Sequence, residues 1–107
     1  KLNLDILKQS GYEVKELRII GGGARSLKHV QLKSDVIGMP ITIPDVNEAG
    51  CMGVAMLAKA YHENMKVADI TKQWVKPVSK VEPKLHSHYN TKFELYKKLY
   101  HLLKNIY

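Results

Sequence analysis

The sharpest chemical feature of the sequence is the run Ile19-Ile20-Gly21-Gly22-Gly23-Ala24-Arg25-Ser26, a strand-like stretch passing through three glycines into a helix-like one. Glycines carry no side-chain bulk, so a flat ligand face and backbone amides can approach each other closely there. The helix N-terminus just beyond offers unpaired N–H groups and the positive end of a dipole. By chemistry alone the run is a phosphate or nucleotide contact, or simply a tight turn. It is not a P-loop, because no Lys-Ser/Thr pair follows at the required spacing, and the dinucleotide pattern G-x-G-x-x-G is absent.

The other reactive residue types offer less. His86 and His88 flank Ser87, but no Cys and no near carboxylate completes a metal site with them. Cys51 lies among Gly50, Met52 and Gly53 in an apolar helical pattern and reads as a small buried filler rather than a nucleophile. Asp35 and Asp45 have no partner acid at catalytic spacing. No catalytic residue and no metal ligand set is therefore assigned. The segment reads as holding a ligand rather than doing chemistry.

A chain of 107 residues is one domain, or one piece of a larger domain. Hydrophobic residues at 45% and charged residues at 25% exclude a wholly disordered chain. No apolar run approaches the roughly 18 residues of a membrane span. The single Cys51 excludes an internal disulfide framework and fits a reducing compartment. The chain opens at Lys1 rather than Met, directly in a helix-like pattern, so a preceding segment is expected. The net charge of +7 invites a nucleic-acid reading. Its distribution argues otherwise. Residues 1–53 hold seven basic and six acidic groups, whereas residues 54–107 hold ten Lys and four acids. With no Arg in that second half to grip phosphate or guanine bidentately, the lysines read as a solvated face.

The elements that would position the glycines follow from periodicity. Residues 2–10 place Leu4 and Leu7 one helical turn apart, and Gly11 ends the pattern. Residues 14–20 read as a short strand that becomes more apolar toward Ile19 and Ile20, as if entering a buried sheet. Residues 26–38 read as a helix capped by Ser26, stopped by Gly38, with Leu27, Val30 and Ile37 on one broad face. Residues 39–44 are a second short strand bracketed by Pro40 and Pro44. Asp45 and Glu48 have capping-box spacing ahead of a helix from about residue 46 to 64. That helix carries Gly50 and Gly53 beside Ala49, a smooth face for close packing. Residues 65–76 form a further helical segment, and 77–88 an extended connector with two prolines. Over 89–107, Phe93, Tyr96, Tyr100, Leu103 and Tyr107 recur at helical steps, widened by Leu95, Leu99, Leu102 and Ile106 into a stripe that must pack against something.

The stretch from Leu17 to Ala58 resembles the C-terminal lobe of the FGGY carbohydrate kinases. The family's adenosine motif is similar to Gly21-Gly22-Gly23-Ala24-Arg25-Ser26, with Gln31 and Asp35 following at the family spacing. Gly38-Met39-Pro40 resembles the family's G-x-P turn. Glu48-Ala49-Gly50-Cys51-Met52-Gly53-Val54-Ala55 is similar to the helix that connects the two lobes. The likeness extends more loosely to an extended connector and a Tyr-rich last helix. His29 stands where the family often has Trp. Ser26-Leu27-Lys28 stands where glycerol-kinase-like members usually carry Asn residues, which points to a xylulose-kinase-like relative.

The resemblance implies an α/β fold of the actin-like ATPase (ribonuclease H-like) kind, of which residues 1–107 form the C-terminal part of the second, ATP-binding lobe: two short strands packed with helices. It implies a cytoplasmic transferase that phosphorylates a sugar hydroxyl with ATP, with Gly22, Gly23, Ala24, Arg25 and Ser26 forming the adenosine wall. The general base, the Mg2+ ligands and the sugar pocket would all lie in preceding residues, so the segment alone is expected to be inactive. Its partners would be the remainder of its own kinase chain and the sugar substrate, with homodimerisation left open and neither nucleic acid nor membrane expected. The rival reading is a non-enzymatic, lysine-rich binding module whose glycine turn is only structural.

Overall fold

Residues Ile41–Pro44 form the middle strand of a three-stranded sheet, and three of its four residues are buried. The computed structural model describes residues 1–46, 48–104 and 106. In order, these form α1 (Leu2–Gln9), β1 (Leu17–Arg18), a 3-10 turn (Gly22–Ala24), α2 (Leu27–Ile37), β2 (Ile41–Pro44), α3 (Ala49–Glu63), α4 (Val67–Trp74), β3 (Pro77–Val81) and α5 (His86–Lys104). The α/β class is as expected, but the described residues hold three strands rather than two.

β1 pairs in parallel with β2, Leu17 opposite Ile41 and Arg18 opposite Thr42, with α2 as the crossover between them. The ladder extends by one bond, from Ile19 N to Thr42 O at 3.1 Å, and stops. Ile20 is exposed, so the apolar gradient along residues 14–20 does not lead into a covered sheet among the described residues.

β3 pairs antiparallel with β2, Ile41 opposite Val81 and Thr42 opposite Lys80. Residues 77–88 are therefore not simply a connector. Pro77 and Pro44 face each other at the end of the ladder, beyond a register shift. Neither has an N–H to donate, so the pairing closes there, followed only by Asp45 N donating to Lys76 O at 2.8 Å.

α2 is bounded as its sequence predicts. Ser26 Oγ accepts from His29 N, and Gly38, at φ 80°, ends the helix in the left-handed region with its N–H on Ser34 O. The helix buries Val30, Ser34 and Asp35. Full burial of a side chain such as Val30 stabilises by roughly 1.5–3 kcal/mol. α2 packs on the 3-10 turn at one end and on β3 and α5 elsewhere, while α3 packs on α4 and that pair buries Met56 and Ile70.

Two further expectations change. α3 begins at Ala49, and its N-cap residue Glu48 makes no side-chain cap bond. The Glu48 carboxylate lies instead 3.7 Å from the Arg25 guanidinium, so the Asp45–Glu48 capping box does not form. Asn47, within the helix expected from about residue 46, lies outside the described residues, as does Tyr107 at the end of the last helix. α5 starts at His86 rather than 89, and of its apolar stripe only Phe93 is buried. Tyr96, Tyr100, Leu95, Leu99, Leu102, Leu103 and Ile106 are exposed, so beyond Phe93 the stripe is left largely uncovered by the described residues.

Candidate nucleotide-contacting turn

The glycine run folds as a shelf of bare backbone. Gly21 sits at φ 75° and ψ −163°, a region that residues with a Cβ avoid, and this lets the chain leave β1 and wind at once into the 3-10 turn. The turn closes on itself, with Ala24 N donating to Gly21 O at 3.0 Å and Arg25 N to Gly22 O at 3.2 Å. Those two amides are spent inside the turn and are not free for a ligand. What remains is open surface. A Cβ added at Gly21 or Gly22 would meet nothing within 4 Å, whereas one at Gly23 would come 2.9 Å from Lys33 Nζ and 3.9 Å from Ile19 Cδ1.

The five residues expected to form a nucleotide wall are thus brought together. Gly22 and Gly23 are exposed, Ala24 and Ser26 half-buried, and Ser26 is engaged as the α2 cap. Arg25 reaches over to Glu48, a pair exposed on both sides and worth about 0–1 kcal/mol. The cationic tip of Lys33 over Gly23 is not signalled by spacing, because Lys33 sits ten residues on and reaches back across α2.

A second polar cluster lies on α2. Asp35 is buried, and its Oδ1 accepts from Lys84 N at 2.6 Å, Gln31 Nε2 at 3.0 Å and Leu85 N at 3.2 Å. The Lys84 backbone N–H is the strongest influence holding the Asp35 carboxyl below the usual aspartate range; burial opposes it, and the Leu85 and Gln31 bonds help. Gln31 uses its amide twice, donating also to Glu82 O at 2.8 Å. The Ser34 hydroxyl lies 2.8 Å from Met39 O and 3.2 Å from Val81 O. His86 Nδ1 is 3.1 Å from Asp35 O, and its ring fills the space where a Gly38 Cβ would be. The sequence does carry a signal for this cluster: three polar residues at i, i+3 and i+4 on a helix face that also holds Val30.

The remaining candidates are placed as follows. Cys51 is exposed on α3, which corrects its expected burial. His88 meets Tyr89 edge-on at 5.1 Å. No group of three or more His, Cys, Asp or Glu stands together as a metal cage among the described residues. A groove of about 830 Å³ crosses the sheet face that carries Arg18, Thr42 and Lys80, and none of residues 21–26 lines it. Within the described residues no helix is long and apolar enough to cross a membrane.

Comparison with known proteins finds relatives over the stretch that contains this turn. The profile of the FGGY family of carbohydrate kinases, C-terminal domain, matches residues 1–61, from α1 through most of α3. The chain belongs to the FGGY family of carbohydrate kinases. It is 30% identical over 90 residues to the probable L-xylulose kinase of Haemophilus influenzae, covering 84% of this chain and 18% of that protein. The L-xylulose/3-keto-L-gulonate kinase of Escherichia coli is 30% identical over 103 residues, 91% of this chain and 20% of its own length. The glycerol kinase of Deinococcus radiodurans is 38% identical over 68 residues, 63% of this chain and 14% of its own. The chain thus spans a fifth or less of the length of these curated relatives. The lysine-rich binding module gains no support from these comparisons.

Proposed function

We propose that this chain is the C-terminal part of the ATP-binding lobe of an ATP-dependent carbohydrate kinase with the actin-like two-lobed fold. Residues Gly22, Gly23, Ala24, Arg25 and Ser26 form the wall against which adenosine lies. The observation that carries this reading is the open backbone face of Gly21 and Gly22 at the mouth of α2, where an added Cβ would meet no other atom within 4 Å. That face suits a flat purine–ribose surface, and the family membership of residues 1–61 supplies the nucleotide. ATP would contribute the phosphoryl group. This segment's share is to bind and orient, in a class of reaction where positioning and electrostatics do most of the catalysis.

The groups that deprotonate the sugar hydroxyl and hold Mg2+ are assigned to preceding residues. α3 is assigned as the helix connecting the lobes. The substrate is assigned to the xylulose type rather than glycerol. The likeness to the two xylulose-named kinases runs through most of this chain, while the aligned part of the glycerol kinase is shorter. A cytoplasmic setting accords with the lone, exposed Cys51.

The test is Gly23→Leu in the complete enzyme, read by calorimetry. Its side chain would enter the space shared by Lys33 Nζ and the ligand face. ATP affinity should fall at least about tenfold, or 1.4 kcal/mol, with sugar affinity little changed. Unchanged ATP affinity would remove the assignment.

A further inference from the structure

α2 touches both ends of the problem. Its N-terminus backs the 3-10 turn of Gly22–Ala24, and its other turns pack on β3 and α5. The link to β3 and α5 is not mere apolar packing. Gln31, Ser34 and Asp35, spaced along one face, bind Glu82 O, Val81 O and the amides of Lys84 and Leu85. These partners are 47 to 51 residues away in the chain. Asp35 and Ser34 are buried, and no buried side-chain polar atom is left without a partner among the described residues. Such fully satisfied buried polar networks fix one arrangement, because every alternative leaves a charge or donor unpaired.

An eleven-residue helix is a rod of about 16 Å, stiff enough to carry a displacement from its C-terminal half to its cap. We propose that Asp35 is a positioning residue for the nucleotide turn: by clamping residues 84–86 to α2, beside the Gln31 bond to Glu82 O, it sets the pose of α2 and so of the glycine shelf at its N-terminus. The proposal rests on the reading of residues 22–26 as the adenosine wall. It makes the β3–α5 segment a strap for nucleotide binding, although none of its residues need touch the nucleotide.

The experiment uses steady-state kinetics of the complete enzyme with ATP and its sugar varied separately. Asp35→Ala should raise KM for ATP by about tenfold, leave KM for the sugar within about twofold, and largely spare kcat at saturating ATP. Asp35→Asn keeps an acceptor oxygen for the Lys84 and Leu85 amides and should restore KM for ATP to within about threefold of wild type. Hydrogen exchange without nucleotide should show the amides of residues 22–28 less protected in Asp35→Ala. Should that variant fail to fold, Gln31→Ala, at a half-buried position, should move KM for ATP in the same direction by a smaller factor. The proposal is overturned if Asp35→Ala lowers the melting temperature while KM for ATP stays within about twofold, or if both KM values rise together. Gly23→Leu separates the two levels. If it weakens ATP binding and the Asp35 and Gln31 variants do not, the strap falls and the wall stands; if it leaves ATP binding intact, the wall falls and the strap loses its target.

Discussion

Gly38 carries two constraints at once. Its φ of 80° ends α2, and a Cβ there would run into the imidazole of His86. Gly38→Ala should therefore cost on the order of 2 kcal/mol, from left-handed strain and from displacing the ring. Thermal melting of Gly38→Ala with and without His86→Ala separates the two, since the second change relieves only the collision. Asp35 gives the residue-scale pH dependence. Its carboxyl is held below the ordinary value of about 3.9, chiefly by the Lys84 amide, so the ionised form favours the folded state. That stability is fully present above about pH 3.9 and drains away as the pH falls through the lowered folded value. The melting temperature of wild type should exceed that of Asp35→Asn at pH 6, and the gap should close on acidification below that window. A gap that stayed constant down to pH 2.5 would contradict it. The glycines, Ser26 and Gly38 could be read from the chain because their signal is local. The ties of Asp35 could not, because its partners stand some 50 residues away.

At the scale of elements, α3 breaks the helix-propensity rule with Gly50 and Gly53, and neither glycine is approached by anything within 4 Å of an added Cβ. The close packing that the sequence suggests is not supplied by this segment. Each interior glycine costs about 1 kcal/mol relative to alanine. Gly53→Leu should thus leave α3 of this segment as stable or up to about 0.8 kcal/mol more so, by far-ultraviolet melting. In the complete enzyme the same change should lower turnover, if α3 faces the other lobe at the hinge on which closure depends. Scattering with both ligands bound would then show a more open particle than wild type. Normal closure with wild-type turnover would leave the glycines without a role. The capping box expected to open α3 does not form, but α2 was legible from its Ser26 cap and Gly38 stop, and α5 from its apolar periodicity. β3 was not, because prolines at 77 and 83 mask a strand whose pairing is decided by β2. The start of α5 was missed for a similar reason: a carboxylate from α2 caps the residues just before it.

At the scale of the whole molecule, the accessible surface is 8456 Å², against about 6,100 Å² for an ordinary monomer of this mass. The excess of roughly 2,400 Å² lies on this one chain, well above the about 800 Å² that each partner gives to an interface of standard size. It is carried partly by the exposed faces of α3 and α5, including Val54, Leu57, Tyr61, Leu99 and Leu103. The purified 107-residue segment should accordingly bind a hydrophobic dye and phosphorylate no sugar above background. Measurable turnover would overturn its reading as part of a lobe. The sheet order adds a consequence for synthesis. β1, α2 and β2 are contiguous and can meet as soon as residue 44 has left the ribosome. β3 and the amides that donate to Asp35 are made some 40 residues later, so a nascent chain halted before residue 82 holds that carboxylate in water and α2 unanchored. Protease cleavage within α2 should then begin when α2 emerges and cease only once Lys84 clears the exit tunnel.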